Sequence, residues 1–370
     1  MNVGGDGVIA DYWLSAVNKF YRGRDVEIVK EQSLASLGDA LVALSRHRLD
    51  FVVRRLRAAI GEDVGEGVFK LGTSASNEFE RTLFVVGLAC RCFEGAGDRR
   101  KEVDSGVVAF FCEALSTVHH QNYLAWAATE NPSGGRRVAK QCMSSFALLS
   151  GWYQEAALAT VRIHMKNIMD KRTGPDEVTN RLTCIAYLRL DVKGLALLFD
   201  MVQEVFRLMN KEMANNSPWC RRVTVEISNP FATCIRDWVG KNRAFVVSLY
   251  DPNGSSSSSS SSRNKTSTGD RESSSLSTPP PSSSTTMTRQ PSSKRQERYE
   301  RNKRSRDKFV KCALGLLQSM MPITATGTRK RCSVWPAIVL VACLVPEEWQ
   351  PATACMDIVQ GTPYYTGHRP

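Results

Sequence analysis

The densest run of side chains able to do chemistry is Lys294-Arg295-Gln296-Glu297-Arg298-Tyr299-Glu300-Arg301-Asn302-Lys303-Arg304-Ser305-Arg306-Asp307-Lys308. Guanidinium and ammonium groups at this density bind phosphate oxygens, arginine through paired hydrogen bonds and lysine as a point charge. Between Lys294 and Lys311, nine Lys or Arg stand against Glu297, Glu300 and Asp307. Wound as a helix, Lys294, Arg295, Arg298, Arg301, Lys303, Arg304, Arg306 and Lys308 would cover much of the cylinder and meet a polyanion from several sides. Counterion release would then dominate affinity, with a log-log salt slope of about −4 to −6 on single strands. Two basic clusters about five residues apart also fit a nuclear-import signal, and the two uses can coexist.

Smaller basic groups lie upstream: Arg54-Arg55 with Arg57, Arg136-Arg137 beside two glycines, and Arg221-Arg222. Arginines next to glycine let backbone and guanidinium approach a phosphate together. The nucleic-acid reading therefore takes Arg54, Arg57, Arg136, Arg137, Arg221 and Arg222 as candidate contacts beside the main run. Phosphorylation of Ser305 or of the upstream serines would add about −1.5 to −2 charge per event and weaken nearby phosphate contacts. The string Arg301-Asn302-Lys303-Arg304-Ser305-Arg306 resembles the basic region of leucine-zipper transcription factors. It departs from that pattern at Val310, eight residues after Asn302, and no leucine heptads follow before Pro322.

Other chemistries have little to stand on. Phosphate-cradling G-x-x-x-x-G-K-[ST], strand-borne G-x-G-x-x-G, G-x-S-x-G and H-E-x-x-H are all missing. No cofactor is called for by any motif. Of five histidines only His119-His120 cluster, and adjacent helical positions point about 100° apart, so both do not face one metal. Cys142 with His164 is the pair that could form an unmarked nucleophile and base. The eleven cysteines include no C-x-x-C and mostly sit in apolar runs, which reads as reduced, buried thiols. The expectation is a non-enzymatic chain without a metal.

The elements that must position the basic run follow from composition. More than half of the residues from Asp251 to Ser293 are Ser or Thr, with only Leu276 and Met287 apolar, too little to offset the entropy of ordering. This segment, 251–293, reads as a disordered linker with a reach of about 35 Å. Of the net charge of +12, about +4 precedes Asp251 and about +8 follows it, so the tail is the first candidate contact for a polyanion.

Upstream, residues 11–250 read as a helical body behind a flexible 1–10. Leu34, Leu37, Leu41 and Leu44 recur at helical spacing, and the pattern resumes with a phase slip at Leu49. Further helices are expected from Ser76 or Asn77 to Gly95, around Val107 to Val118, from Val138 to Met169 with a joint near Gly151, from Thr173 to Leu190, and from Lys193 to Met213. Asn131 to Gly135 reads as a loop. Arg222 to Ser228 alternates and reads as one short strand or extended segment, after which Asn229-Pro230 would cap a short helix. The basic run continues as a helix over 294–321. In 322–370 the apolar stretch Val334 to Val345 is too short to span a bilayer and is expected to be buried, folding back on the body.

The fold class is therefore all-α, with at most one short β element. Met1 to Ala10 has neither a basic n-region nor an apolar h-region, so a nuclear or cytoplasmic location without secretion is expected. The composite reading is a nucleic-acid-binding structural protein, RNA favoured, associated with a nucleocapsid or ribonucleoprotein. The rival is a nuclear adaptor whose helical body binds a protein partner or a second copy of itself, with the basic segment serving only for import.

Overall fold

The computed structural model describes residues 31–60, 75–127, 132–170, 180–213, 218–250, 293–325 and 334–346, together with residues 8, 11, 12 and 15. These residues form ten long or short α-helices and two 3-10 helices, and no strand occurs among them. The fold is all-α. In chain order the helices are α1 (Glu31–Ile60), α2 (Ala75–Gly95), a 3-10 helix (Gly97–Glu102), α3 (Ser105–Ala127), α4 (Pro132–Trp152) and α5 (Gln154–Met169). A second 3-10 helix (Thr183–Tyr187) precedes α6 (Val192–Met213), α7 (Pro218–Lys241), α8 (Arg243–Tyr250), α9 (Ser293–Ala325) and α10 (Trp335–Ala342). The linker expectation over 251–293 lies outside the described residues except for Ser293, which is helical, and the 1–10 expectation lies outside them except for Val8.

The phase slip read at Leu49 is a kink. Arg48 leaves helical geometry at φ −135°, ψ 50°, and the backbone turn re-aims the apolar stripe so that Leu41, Leu49, Val52, Val53 and Leu56 are all buried. The Arg99 guanidinium donates to the His47 carbonyl at 2.6 Å, satisfying backbone that the kink has loosened. The stop after α2 falls at Gly95, and Gly97 takes a positive φ of 55° that a side chain would resist.

Three expectations are corrected. The strand read over Arg222 to Ser228 is the second to fourth turns of α7. Counting only Val223, Val225 and Ile227 as core suggests alternation, but Thr224 and Ser228 are buried too. Their hydroxyls donate to carbonyls four residues back, Thr224 to Cys220 at 2.8 Å and Ser228 to Thr224 at 2.6 Å, so they pack as core without an unmet polar group. With them included the buried positions run Cys220, Val223, Thr224, Ile227, Ser228, Phe231, Cys234, Ile235, Trp238, a period of 3.6. Pro230 accordingly lies inside α7 rather than at its start. Second, the loop read at Asn131 to Gly135 is helical from Pro132, because proline at a helix start has no donor to lose. Third, the helix read to Leu190 ends as the 3-10 turn Thr183–Tyr187 and an extended Leu188 (φ −63°, ψ 134°).

The helices pack in sequence-local groups that share one core. α1 lies on α2, α3 and the first 3-10 helix; α3 lies on α4 and α5; α5 passes contact to α6, and α6 to α7 and α9. α10 packs on α7 and α9, so the apolar stretch from Val334 to Val345 does fold onto other helices, with Ala337, Ile338, Val341, Leu344 and Val345 buried. None of the described helices is long and apolar enough to cross a membrane.

Seven of the nine described cysteines are buried, Cys312 is half-buried and Cys343 is exposed. Burial pushes the thiols up, Cys90 and Cys142 to about 12 and Cys92 to about 11, which holds them protonated and unreactive. In a chain carrying Cys332→Ser and Cys355→Ser, native labelling with a thiol reagent is expected to modify one cysteine quickly, Cys343, and the others only after denaturant is added. Rapid modification of several sites, read by intact mass, would contradict this packing.

Candidate nucleic-acid interface

The basic run begins the 33-residue helix α9. What holds that helix is its second half. Phe309, Val310, Ala313, Leu316, Leu317 and Met320 are buried, at spacings that keep them on one side. Phe309 sits in a box of rings: it stacks on Trp238 with centroids 5.6 Å apart at 19°, meets Phe245 edge-on at 5.4 Å and lies 5.6 Å from Phe199. α9 then runs close along α6. A Cβ added at Gly315 would come within 2.6 Å of the Gln203 amide nitrogen, so only glycine admits this approach without displacing Gln203. One turn further on, the Asn210 side-chain amide donates to the Ser319 carbonyl at 2.7 Å.

Because the helix is continuous from Ser293, this anchor also directs the basic half. Glu297, Glu300, Arg301, Lys303, Arg304 and Ser305 are all exposed, and the first buried residue of α9 among the described side chains is Phe309. About 20 Å of helix therefore precedes the body contact. The basic segment is held rigidly on its C-terminal side, which composition alone does not reveal. Lys294, Arg295 and Arg298 lie in its first two turns.

Among the basic residues, Arg301, Arg304, Lys308 and Lys311 recur at three, four and three residues and are all exposed. They form one stripe, about 15 Å long, on the side of α9 opposite the buried residues. Glu297 and Glu300 stand four residues before Arg301 and Arg304, the order that favours helix formation. Lys303 is exposed on another side, and Arg306 turns toward the body: its side chain is 18% exposed and its Nε lies 3.8 Å from Asp307. Arg306 is thus not part of the outward stripe, whereas Lys311 is.

The upstream arginines do not join this stripe. Arg54 pairs with Asp50 at 2.8 Å, and Arg57 is half-buried over the Phe110 ring at 4.9 Å. Both belong to α1, whose principal packing partners are shared by none of those of α9. Arg136 and Arg137 are exposed in the first turns of α4; Arg221 and Arg222 lie in the first turns of α7, where Arg222 is exposed. A cluster that sequence reading missed gathers at the α1 kink, where exposed Arg46, Arg48, Arg99 and Lys101 come from α1 and the first 3-10 helix. The signal was the triplet Arg99-Arg100-Lys101, but only the packing of the 3-10 helix on α1 brings it to Arg46 and Arg48. Asp98, Glu102 and Asp104 stand among these cations and reduce their field.

The buried titratable groups form a structural network. His164 on α5 lies 2.9 Å through Nε2 from the Ser116 hydroxyl and 3.5 Å from Glu113, which pairs with Arg181 at 3.0 Å. His164 is therefore engaged by α3 and not by Cys142, and both Ser116 and His164 are at most 2% exposed. Burial first, then the neighbouring Arg181 and His120, lowers His164 to about 3, so it is neutral in the folded chain. His119 is lowered as well, chiefly by burial. No group of three metal-ligating side chains is assembled among the described residues.

This assigns a sign to the pH dependence. The unfolded chain takes up a proton at His164 near pH 6.5 while the folded chain does not until about pH 3, so the unfolded state gains protons as pH falls through that window. Stability is expected to drop on acidification from pH 6.5 by up to about 1.4 kcal/mol per pH unit from this residue. Urea unfolding at several pH values checks it: His164→Gln should flatten the slope between pH 6.5 and 4.5 relative to the unsubstituted chain. An unchanged slope would place the acid sensitivity elsewhere.

With an all-α body and an anchored basic helix in place, comparison with known proteins adds no relative: no family model, no curated protein and no solved structure matches this chain.

Proposed function

We propose that this is a non-enzymatic nucleic-acid-binding structural protein, RNA favoured, of the kind that associates with a nucleocapsid or ribonucleoprotein. One observation carries the reading: Arg301, Arg304, Lys308 and Lys311 form an exposed cationic stripe on a helix whose other end is locked into the core. A stripe about 15 Å long spans two to three phosphates of a single strand, and a preordered helix loses little rotational freedom on binding. The further basic residues Lys294, Arg295, Arg298 and Lys303 on the same helix extend the field that attracts a polyanion. Exposed cations on one helix face meet phosphate oxygens, so the binding is dominated by charge and tolerant of sequence.

The test is filter binding of a single-stranded RNA to the full chain, stripped of co-purified nucleic acid by a wash at about 1 M salt, at about 50 and about 200 mM salt. Retention that falls steeply with salt is expected. No retention at the lower salt would overturn the reading and leave the basic segment to serve import alone. Deleting the basic run as a control must stop before Phe309, since removing that ring would damage the core instead of the interface.

A further inference from the structure

α9 and α6 lie side by side and run the same way. Phe309 meets Phe199 with ring centroids 5.6 Å apart, the Cys312 thiol lies by the Asp200 carboxylate, Gly315 admits the Gln203 side chain, and the Ser319 carbonyl accepts from Asn210 at 2.7 Å. These partners are 109 to 112 positions apart throughout, and so steady an offset over about three turns means nearly parallel axes, about 8–10 Å apart. Two turns before Asp200 and Cys312 stand Lys193 on α6 and Ser305 on α9, both exposed. Lys193 shares the outward face of α6 with Asp200, because seven residues complete about two turns. On α9, Arg301 lies one turn before Ser305 and Lys308 one turn after it. Those two neighbours follow from the sequence, whereas only the packing of α6 on α9 supplies Lys193.

We infer that Ser305, Arg301, Lys308 and Lys193 form one phosphate subsite, at which a bound strand crosses from α9 to α6. The inference rests on the nucleic-acid reading and says where one phosphate sits. Lys193, Arg301 and Lys308 make no ion pair among the described residues, so all three remain available to a ligand. The nearby carboxylates do not take them up. Asp191 caps α6 by accepting the Gly194 N–H at 2.7 Å, Asp307 turns to Arg306 at 3.8 Å, and Asp200 stands two turns on beside Cys312. Glu155 opens α5 next to Gln154, which accepts the Asp191 N–H at 3.1 Å, and Glu297 lies about two turns before Ser305. Glu300 points about 140° away around α9. The hydroxyl of Ser305 can donate to a phosphate oxygen while the arginine fork and two lysine charges balance its negative charge. Beyond Lys193, Asp200 and Glu204 follow on the outward face of α6 and repel a polyanion, so the strand crosses this helix near its first turn and does not continue along it.

The experiment compares K193E with K211E in filter binding of single-stranded RNA to the full, salt-washed chain at about 50 and about 200 mM salt. Lys211 is exposed on the same helix about five turns further on, so it shares the general field but not the subsite. K193E is expected to lower affinity by about tenfold and to flatten the log-log salt slope by about 0.7, whereas K211E changes affinity by less than about twofold. S305D, which sets a carboxylate where the phosphate would lie, should weaken binding about as much as K193E. Each variant is checked for an unchanged helical circular dichroism spectrum. Amine labelling of the unsubstituted chain, read by mass, gives a second measure that needs no variant to fold: bound RNA should protect Lys193 and leave Lys211 reactive. A parent chain that retains RNA while K193E matches K211E, or while Lys193 stays as reactive as Lys211, overturns this inference alone. A parent chain that retains no RNA overturns the proposed function, and this inference with it.

Discussion

Replacing Phe309 by alanine is expected to cost about 3–5 kcal/mol of unfolding free energy, the range for deleting a large ring from a core that cannot collapse around the gap. Phe309 is 1% exposed and touches the rings of Trp238, Phe245 and Phe199, which belong to three different helices. The box therefore joins α6, α7 and α8 to α9, and removing its centre takes away the only aromatic contact that the basic helix makes with them among the described residues. Since whole proteins have about 5–15 kcal/mol of net stability, the loss is a large share. Denaturant unfolding followed by circular dichroism measures it, and the near-ultraviolet signal of Trp238 should change with the loss of its stacked partner. Arg301→Ala on the exposed half of the same helix should change stability by less than about 0.5 kcal/mol. A Phe309→Ala chain as stable as the parent would mean that α9 is not anchored where its packing places it.

The second large effect concerns the stripe. R301E/R304E/K308E is expected to lower RNA affinity by about a hundredfold at about 50 mM salt, and to flatten the log-log salt slope by about 2, since each phosphate contact on a single strand contributes about 0.7. All three side chains are exposed, so the fold should survive. The reversal does place like charges at Glu297 with position 301 and at Glu300 with position 304, at a few tenths of a kcal/mol each. R301Q/R304Q/K308Q avoids that repulsion and should lose affinity in the same direction with a smaller change. Unchanged affinity and slope in both variants would remove the stripe from the interface. Lys303→Glu, on another side of the helix, should have a smaller effect than any member of the stripe, because its charge acts only through the general field.

Much of the architecture is legible in the chain because local rules dominate it. The 3.6-residue recurrence of Leu34 to Leu44, its phase slip near Leu49 and the glycine stop after Gly95 all correspond to structure, since each reflects the geometry of one helix with its own backbone. Misreadings arise where a polar residue behaves as core. Thr224 and Ser228 satisfy their hydroxyls on their own helix, so a pattern that counts only apolar side chains reads three alternating residues as a strand. Pro132 and Pro230 show the same limit, since whether proline begins, interrupts or sits inside a helix depends on what packs around it.

By itself, then, the sequence determined that the chain is helical, that positive charge concentrates after the serine-rich tract, and that the run from Lys294 to Lys311 is its densest cationic feature. Composition and periodicity are properties of neighbouring residues, and neighbouring residues suffice to read them. Tertiary structure alone decided which cations face outward together: Phe309 enters the aromatic box, sets the rotation of α9, and so selects Arg301, Arg304, Lys308 and Lys311 while turning Arg306 inward. It also separated Arg54 and Arg57 from that stripe. Those outcomes depend on contacts between residues distant in the chain, whose partners no local pattern specifies.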